Sequence, residues 1–163
     1  MARSQVGVAS IVMAQLYEQL QQIDPEQIDI DRLAAVRPTV SQLKHQIVKR
    51  HGTWGEQAYL EFSKKYQHET GYKKELKYIV SNWKSIWKDL SMLKPATRIR
   101  NILMDAGAPV TVKALGLTPD HLYNSFIAAR EIRGRFTVLD FAADIGQLHN
   151  IRNLVIEKSG CTG

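Results

Sequence analysis

The sequence has little of what marks several large classes of protein. Its 163 residues contain one cysteine, Cys161, so no internal disulfide can form and a disulfide-stabilised secreted scaffold is excluded. No run approaches the roughly 18 consecutive apolar residues that a membrane-spanning helix requires. We therefore expect a cytoplasmic setting that is reducing or in which redox conditions do not matter, with no membrane association.

Motifs for phosphate binding and covalent catalysis are also missing. No Gly-x-Gly-x-x-Gly follows a strand and no Gly-Lys-Ser/Thr loop occurs, although these are the usual cradles for nucleotide phosphates. There is no nucleophile elbow, and a lone cysteine near the end of the chain is a poor catalytic candidate. An independent nucleotide-dependent enzyme is not indicated.

The histidines do not form a recognisable metal-binding pattern. His45 and His51 are six residues apart, which places them on opposite sides of a helix. No cysteine or carboxylate completes a zinc motif with them. We predict no metal site and expect surface histidines instead, at the five positions His45, His51, His68, His121 and His149.

What is present is an apolar content of 44% arranged at helical spacing along almost the whole chain. No segment alternates with period two between hairpin turns, so the fold class predicted is all-α, a multi-helix bundle. The length indicates one domain. We predict a helical domain over 1–148 and a tail over 149–163 that forms a frayed helix.

Capping signals and apolar periodicity place the individual helices. A first helix over 6–23 should bury Val8, Ile11, Val12, Leu16, Leu20 and Ile23. A turn is predicted over 30–36, a helix over 40–51 burying Val40, Leu43, Ile47 and Val48, and a long helix over 72–93. Further helices are expected after Pro95, after a short turn between Thr111 and Gly116, and after three cap signals. The caps are Thr53 with Glu56, Thr118 with Pro119, and Thr137 with Asp140.

The net charge of +6 raises the question of anionic partners. Four lysines of the predicted long helix fall within about 60° at 100° per residue, and we name them the lysine stripe: Lys73, Lys77, Lys84 and Lys88. They are candidate anion contacts, although such stripes are usually solvated faces.

Gly52-Thr53-Trp54-Gly55 is similar to the loop of an RNA-binding KH domain, but that module needs strands. We therefore do not expect nucleic acid as a partner, and we expect Trp83 and Trp87 to be core residues.

Several segments are similar to one known family. They are QVGVASI at 5–11, Asn82-Trp83, ILMDAGAP at 102–109, LGLT at 115–118, AREIRGRFTVLD at 129–140 and DIGQL at 144–148. In order and spacing these segments resemble the C-terminal end of glycerol-1-phosphate dehydrogenases, a family in the superfamily of dehydroquinate synthases and iron-containing alcohol dehydrogenases. The resemblance covers residues 5–148.

The resemblance implies a helical half of a larger enzyme. Members of the family have an N-terminal dinucleotide-binding α/β half and a C-terminal helical half, which close around NAD(P)(H) and dihydroxyacetone phosphate. One Asp and two His hold a divalent metal that polarises the carbonyl receiving the hydride. The chain would accordingly need a dinucleotide-binding half as its partner.

Departures from the family motif limit the chemistry expected of this chain. Aligned on Val6-Gly7, one histidine ligand falls on Ala2 and its glycine on Arg3, and alanine cannot bind a metal. No cofactor should be bound tightly by this chain alone, and no residue is assigned a catalytic role. Ser4 and Gln5 are the residues expected to face the former cleft.

Other interpretations of the sequence stay open. Arg133 and Arg135 are candidate phosphate contacts, but one of them bonding the preceding carbonyls is the simpler explanation. Asp140 is interpreted as the acid of the capping box. The alternative function is a non-catalytic helical module that binds another protein or a second copy of itself, and less favoured is a nucleic-acid binder using the lysine stripe.

Overall fold

A computed structural model of the chain describes residues 2–150, apart from the side chains of residues 2–4 and 119. The predicted all-α class is confirmed, because these residues contain helices and turns and no strand. The predicted tail lies outside the described residues from position 151 onward. The helices are α1 Ala2–Gln21, α2 Ile30–Ala35, α3 Val40–His51, α4 Gly55–Ser63, α5 Glu69–Ser81, α6 Trp83–Asp89, α7 Ala96–Asp105, α8 Pro119–Glu131 and α9 Val138–Asp144.

The chain divides into two compact units, which are described separately. The first unit comprises residues 1–23, 84–123 and 149–163, and the second comprises 24–83 and 124–148. The predicted domain limits, 1–148 and 149–163, stay predictions. No helix among residues 2–150 is long and apolar enough to cross a membrane.

The first unit is built on the packing of α1 against α7. Five of the six apolar residues predicted for the face of α1 are at most 3% exposed, and only Ile23 is partly exposed. Gly7 allows the close approach of α7, since a Cβ atom there would lie 3.3 Å from the Leu103 methyl groups. The start of α7 follows Pro95 as predicted.

The second unit contains a helical hairpin of α3 and α4 joined by a 3-10 turn, Gly52–Trp54. Ile47, Ala58 and Phe62 form its buried cluster, as expected from the apolar face of α3. Val40 was predicted to be buried but is 38% exposed, at the first position of α3.

One predicted cap is wrong and the others are confirmed. The turn after α3 continues directly into α4, so Thr53 and Glu56 form no capping box and Glu56 instead pairs with Lys44 at 3.0 Å. Thr118 accepts the backbone N–H of His121 at 3.2 Å, and the short turn from Thr111 ends at Gly116 in the left-handed region. Thr137 and Asp140 form the predicted capping box.

The long helix predicted over 72–93 is wrong, because it is broken at Asn82. The Asn82 side-chain amide donates to the Tyr78 carbonyl at 2.8 Å, the same carbonyl that accepts the Asn82 backbone N–H at 3.0 Å. Asparagine competes in this way with regular helical bonding, and an apolar periodicity does not register it. The prediction that both tryptophans are core residues is confirmed for Trp83, which is 6% exposed and whose ring centroid lies 5.6 Å from that of Phe141. Trp87 is partly exposed.

Replacing Gly55 by alanine should destabilise the second unit. A Cβ atom at position 55 would lie 2.5 Å from the Val48 Cα and 2.6 Å from its carbonyl oxygen, both backbone atoms that cannot move alone. We expect Gly55→Ala to cost about 3 kcal/mol in urea unfolding. Gly71→Ala is the matched control, because its Cβ would meet the mobile end of the Gln67 side chain, and its effect should stay within about 1 kcal/mol. Equal midpoints for the two variants would contradict the close approach.

Candidate functional site

A cavity of about 500 Å³ lies within the first unit. One wall is a single face of α1, whose lining residues follow helical spacing from Ser10 to Gln21. The opposite wall comes from α6, from the 3-10 turn that follows it, and from the linker into α7. The lining residues are Ser10, Met13, Ala14, Tyr17, Glu18, Gln21, Trp87, Leu90, Ser91, Leu93, Lys94, Pro95 and Ile99.

Glu18 links the cavity to the start of α7. Its Oε1 atom accepts the backbone N–H of Ala96, the first residue of α7, at 2.8 Å. A carboxylate at a helix N-terminus satisfies an otherwise unpaired donor and complements the helix dipole. The bond holds the Glu18 side chain in one orientation at the edge of the cavity.

Tyr17 and Lys94 differ in their exposure to water. Burial raises the pKa of the Tyr17 hydroxyl, which therefore stays protonated at neutral pH. Lys94 is exposed, on the linker before Pro95. The cavity thus offers apolar walls, two aromatic rings, a partly buried carboxylate and an ammonium group in contact with solvent.

The second unit contains a buried ion-pair cluster, which we define as Lys65, Arg130 and Asp140. The Lys65 ammonium lies 2.8 Å from Asp140 Oδ1, and both side chains are at most 6% exposed. Arg130 Nε donates to the same oxygen at 3.4 Å. Lys65 also donates to the carbonyl oxygen of Arg130, in the last turn of α8. Burial lowers the pKa of Lys65, while the hydrogen bond and the charge of Asp140 act in the opposite direction.

A second buried carboxylate, Glu131, ties α8 to α3. Arg50 Nε donates to its Oε2 at 3.0 Å, and His51 Nε2 lies 2.8 Å from the same atom. The prediction that all five histidines lie on the surface is therefore wrong for His51, whose side chain is 14% exposed. Its partner is a carboxylate eighty residues away in the sequence, which no local pattern could indicate.

Asp144 lies at the end of α9 beside a stacked arginine. The Arg37 guanidinium is 4.4 Å from the Tyr66 ring centroid and 4.1 Å from that of Tyr72, and the Tyr72 hydroxyl donates to the Asp144 backbone carbonyl at 2.7 Å. Burial raises the pKa of the Asp144 carboxyl to about 6, although the charges of Arg130 and Arg37 lower it. Burial likewise raises the pKa of Tyr72 to about 12.

The residues predicted as candidate contacts are distributed over several elements. Gln5 is exposed in α1, whereas the side chain of Ser4 lies outside the described part of the chain. The lysine stripe does not form one continuous helical face, because Lys73 and Lys77 belong to α5 whereas Lys84 and Lys88 belong to α6. Lys73 already pairs with Asp31 at 3.0 Å and with Glu69 at 3.2 Å. Their role as anion contacts stays a prediction.

Arg133 and Arg135 are both exposed. We expected one of them to donate a hydrogen bond to a carbonyl at the end of the preceding helix. In the structure the donor to the Arg130 carbonyl is Lys65. Sequence reasoning missed Lys65, Glu131 and Glu18. Their partners are between 65 and 81 residues away, so helical spacing carries no signal for them.

The described residues do not fit the divalent metal that the family resemblance implies. Among residues 2–150 no group of three or more His, Cys, Asp or Glu side chains is arranged to hold an ion. The buried carboxylates Asp140 and Glu131 already have cationic partners. A metal would therefore need ligands from elsewhere.

Comparison with known proteins gives one short local similarity. A segment of 42 residues, 26% of this chain, is 48% identical to glycerol-1-phosphate dehydrogenase (NAD(P)+) of Thermofilum pendens. The chain covers only 12% of the length of that enzyme. No protein-family model matches the chain. No solved structure matches it.

Removing the ammonium of Lys65 should strongly destabilise the second unit. In Lys65→Met the Asp140 carboxylate stays buried with a weaker set of donors, so we expect a loss of about 3 kcal/mol in the free energy of unfolding. Lys64→Met is the control, because Lys64 is 58% exposed and its pair with Glu61 contributes little. The measurement is urea denaturation of both variants, and a loss below about 1 kcal/mol for Lys65→Met would contradict a structural role for the cluster.

Asp144→Asn should change how stability depends on pH. The folded protein binds the Asp144 proton more tightly than the unfolded chain, so its stabilising contribution is present below pH 3.8 and is lost as the pH rises through about 6. The variant should match the parent near pH 4 and be more stable by about 1 to 3 kcal/mol at pH 7. A constant difference for Asp144→Asn would argue against a buried carboxyl at that position.

Proposed function

We propose that this chain is the helical C-terminal part of a glycerol-1-phosphate dehydrogenase-like protein, in the superfamily of dehydroquinate synthases and iron-containing alcohol dehydrogenases. The observation that carries the proposal is the 42-residue segment that is 48% identical to the Thermofilum pendens enzyme. The all-helical character of residues 2–150 agrees with what is expected of that half of the enzyme. The chain acts by completing a cleft whose nucleotide-binding side comes from a dinucleotide-binding half.

Two of the segments that carry the family resemblance lie against each other in the first unit. Residues 5–11 belong to α1 and residues 102–109 end α7, the two helices whose packing defines this unit. A Cβ atom at Gly7 would lie 3.3 Å from the Leu103 methyl groups, so the two segments approach each other closely here. Two of the resembling segments that are far apart in sequence therefore belong to one packed helix pair.

Exposed apolar side chains flank the same contact. Val6 is 66% exposed next to Gly7, and Ile102 is 58% exposed next to Leu103. Single exposed apolar residues are ordinary, and we propose that these two belong to a surface that another chain covers. We place the surface for the dinucleotide-binding half here, at Val6 and Ile102.

Under this proposal the chain alone is not catalytic. Its sequence carries no glycine-rich phosphate cradle, and its described residues hold no metal-binding group. NAD(P) and the metal are bound with the other half, while this chain contributes the helical wall of the cleft. It follows that nucleotide binding and partner binding are separable measurements.

The test is a titration of the chain against the dinucleotide-binding half of the Thermofilum pendens enzyme, followed by analytical ultracentrifugation. We expect a complex of micromolar affinity, because a standard interface buries enough surface for it. Val6→Asp should weaken the complex at least about tenfold by placing a charge in the interface. Val36→Asp is the control, since Val36 is 69% exposed but lies in the second unit.

NADH binding by each preparation gives the second readout. The chain alone should not enhance NADH fluorescence, and the complex should. Tight NADH binding by the isolated chain would contradict the need for a second half. Absence of a complex, together with self-association that Val6→Asp abolishes, would favour the non-catalytic interaction module instead.

A further inference from the structure

The function proposed above makes no use of the cavity of the first unit. Its volume of about 500 Å³ is in the range of sites that enclose a small organic molecule. All of its lining residues belong to residues 10–21 and 87–99, so a single unit forms the whole site. The chemistry of these residues indicates what kind of molecule would fit.

The two aromatic side chains of the lining face the cavity from different helices. Tyr17 is on α1, one turn after Met13 and Ala14, and Trp87 is on α6, one turn before Leu90 and Ser91. Both are partly buried, so their rings are neither fully packed nor fully hydrated. Ring faces in such positions attract cations and also pack against apolar groups.

Glu18 gives the cavity a carboxylate with a fixed orientation. The bond from Ala96 N–H to its Oε1 positions the group, and the second oxygen is not required for that bond. A carboxylate that is partly removed from water binds an ammonium group more strongly than an exposed one does. Glu18 and Tyr17 are neighbours on α1 and both line the cavity, so a cation held by Glu18 would lie near an aromatic ring.

Lys94 is the basic residue of the lining. It does not provide an anion site comparable to the cation site that Glu18 provides. Its side chain is exposed on the linker before α7, where water solvates the ammonium group. An anion there would gain only a screened surface interaction. The partly buried charge at the cavity is therefore negative.

We propose that this cavity binds a small primary amine with an apolar or aromatic body, its ammonium group held by Glu18 and its body packed between Tyr17 and Trp87. The apolar residues Met13 and Leu90 complete the surroundings of the body. No covalent step is involved, so the site is a binding site that recognises charge and shape.

The test compares three ligands of similar size and opposite or no charge by isothermal titration calorimetry on the full chain: 2-phenylethylamine, 2-phenylethanol and 3-phenylpropionate. We expect the amine to bind at least about tenfold more tightly than the alcohol, and the carboxylate to bind most weakly. Glu18→Gln should remove this preference. The glutamine oxygen can still accept the Ala96 N–H, so α7 keeps its cap and the fold is retained.

Two further variants separate the site from general effects. Glu26→Gln, an exposed carboxylate in the second unit, should leave amine binding unchanged. Ser91→Phe, which fills the cavity from its exposed side, should abolish binding of the amine while the far-ultraviolet circular dichroism stays the same. Equal binding of all three ligands, tighter binding of the carboxylate, unchanged binding by Glu18→Gln, or no binding at about 10 mM amine would each overturn the proposal.

Discussion

One buried carboxylate, that of Asp140, holds together the second unit. Its oxygens receive the Thr137 N–H at the start of α9, the Lys65 ammonium after α4 and the Arg130 guanidinium of α8. Burying a charge is unfavourable unless nearly every acceptor site is filled, so each donor depends on the others being in place. Lys65 extends this dependence, because it also satisfies a carbonyl at the end of α8. A single side chain therefore sets the mutual positions of three chain segments.

Local sequence patterns predicted those parts of the fold that depend on local physics. The buried face of α1, the cap at Thr118 and the capping box of Thr137 with Asp140 each involve residues within a turn or two of one another. Asn82 shows the limit of periodicity, since the apolar spacing continues through the helix break at this residue. At Thr53 the cap motif is present but a tight glycine contact brings α4 in directly behind α3, so no cap is needed.

The candidate sites were less predictable than the fold, for a physical reason. The face of α1 that lines the cavity includes Ser10, Glu18 and Gln21, and in sequence such residues are typical of a solvent-facing side. Only the packing of a second wall, with Trp87, makes that face one side of an open pocket. The family resemblance, by contrast, was carried by short segments, and the similarity to glycerol-1-phosphate dehydrogenase extends over 42 residues without defining a site.

The division of the chain has a consequence for how this protein is made. Each unit is assembled from separate stretches of sequence, with the chain leaving the first unit after residue 23, returning at 84, leaving again after 123 and returning at 149. No single truncation can therefore isolate either unit as a continuous polypeptide. The first unit cannot close until synthesis has passed residue 105, because α1 must wait for the whole of α7. Such non-local closure slows folding relative to a simple up-and-down bundle. During that interval on the ribosome the apolar face of α1 is exposed, and exposed apolar surface is what chaperones bind.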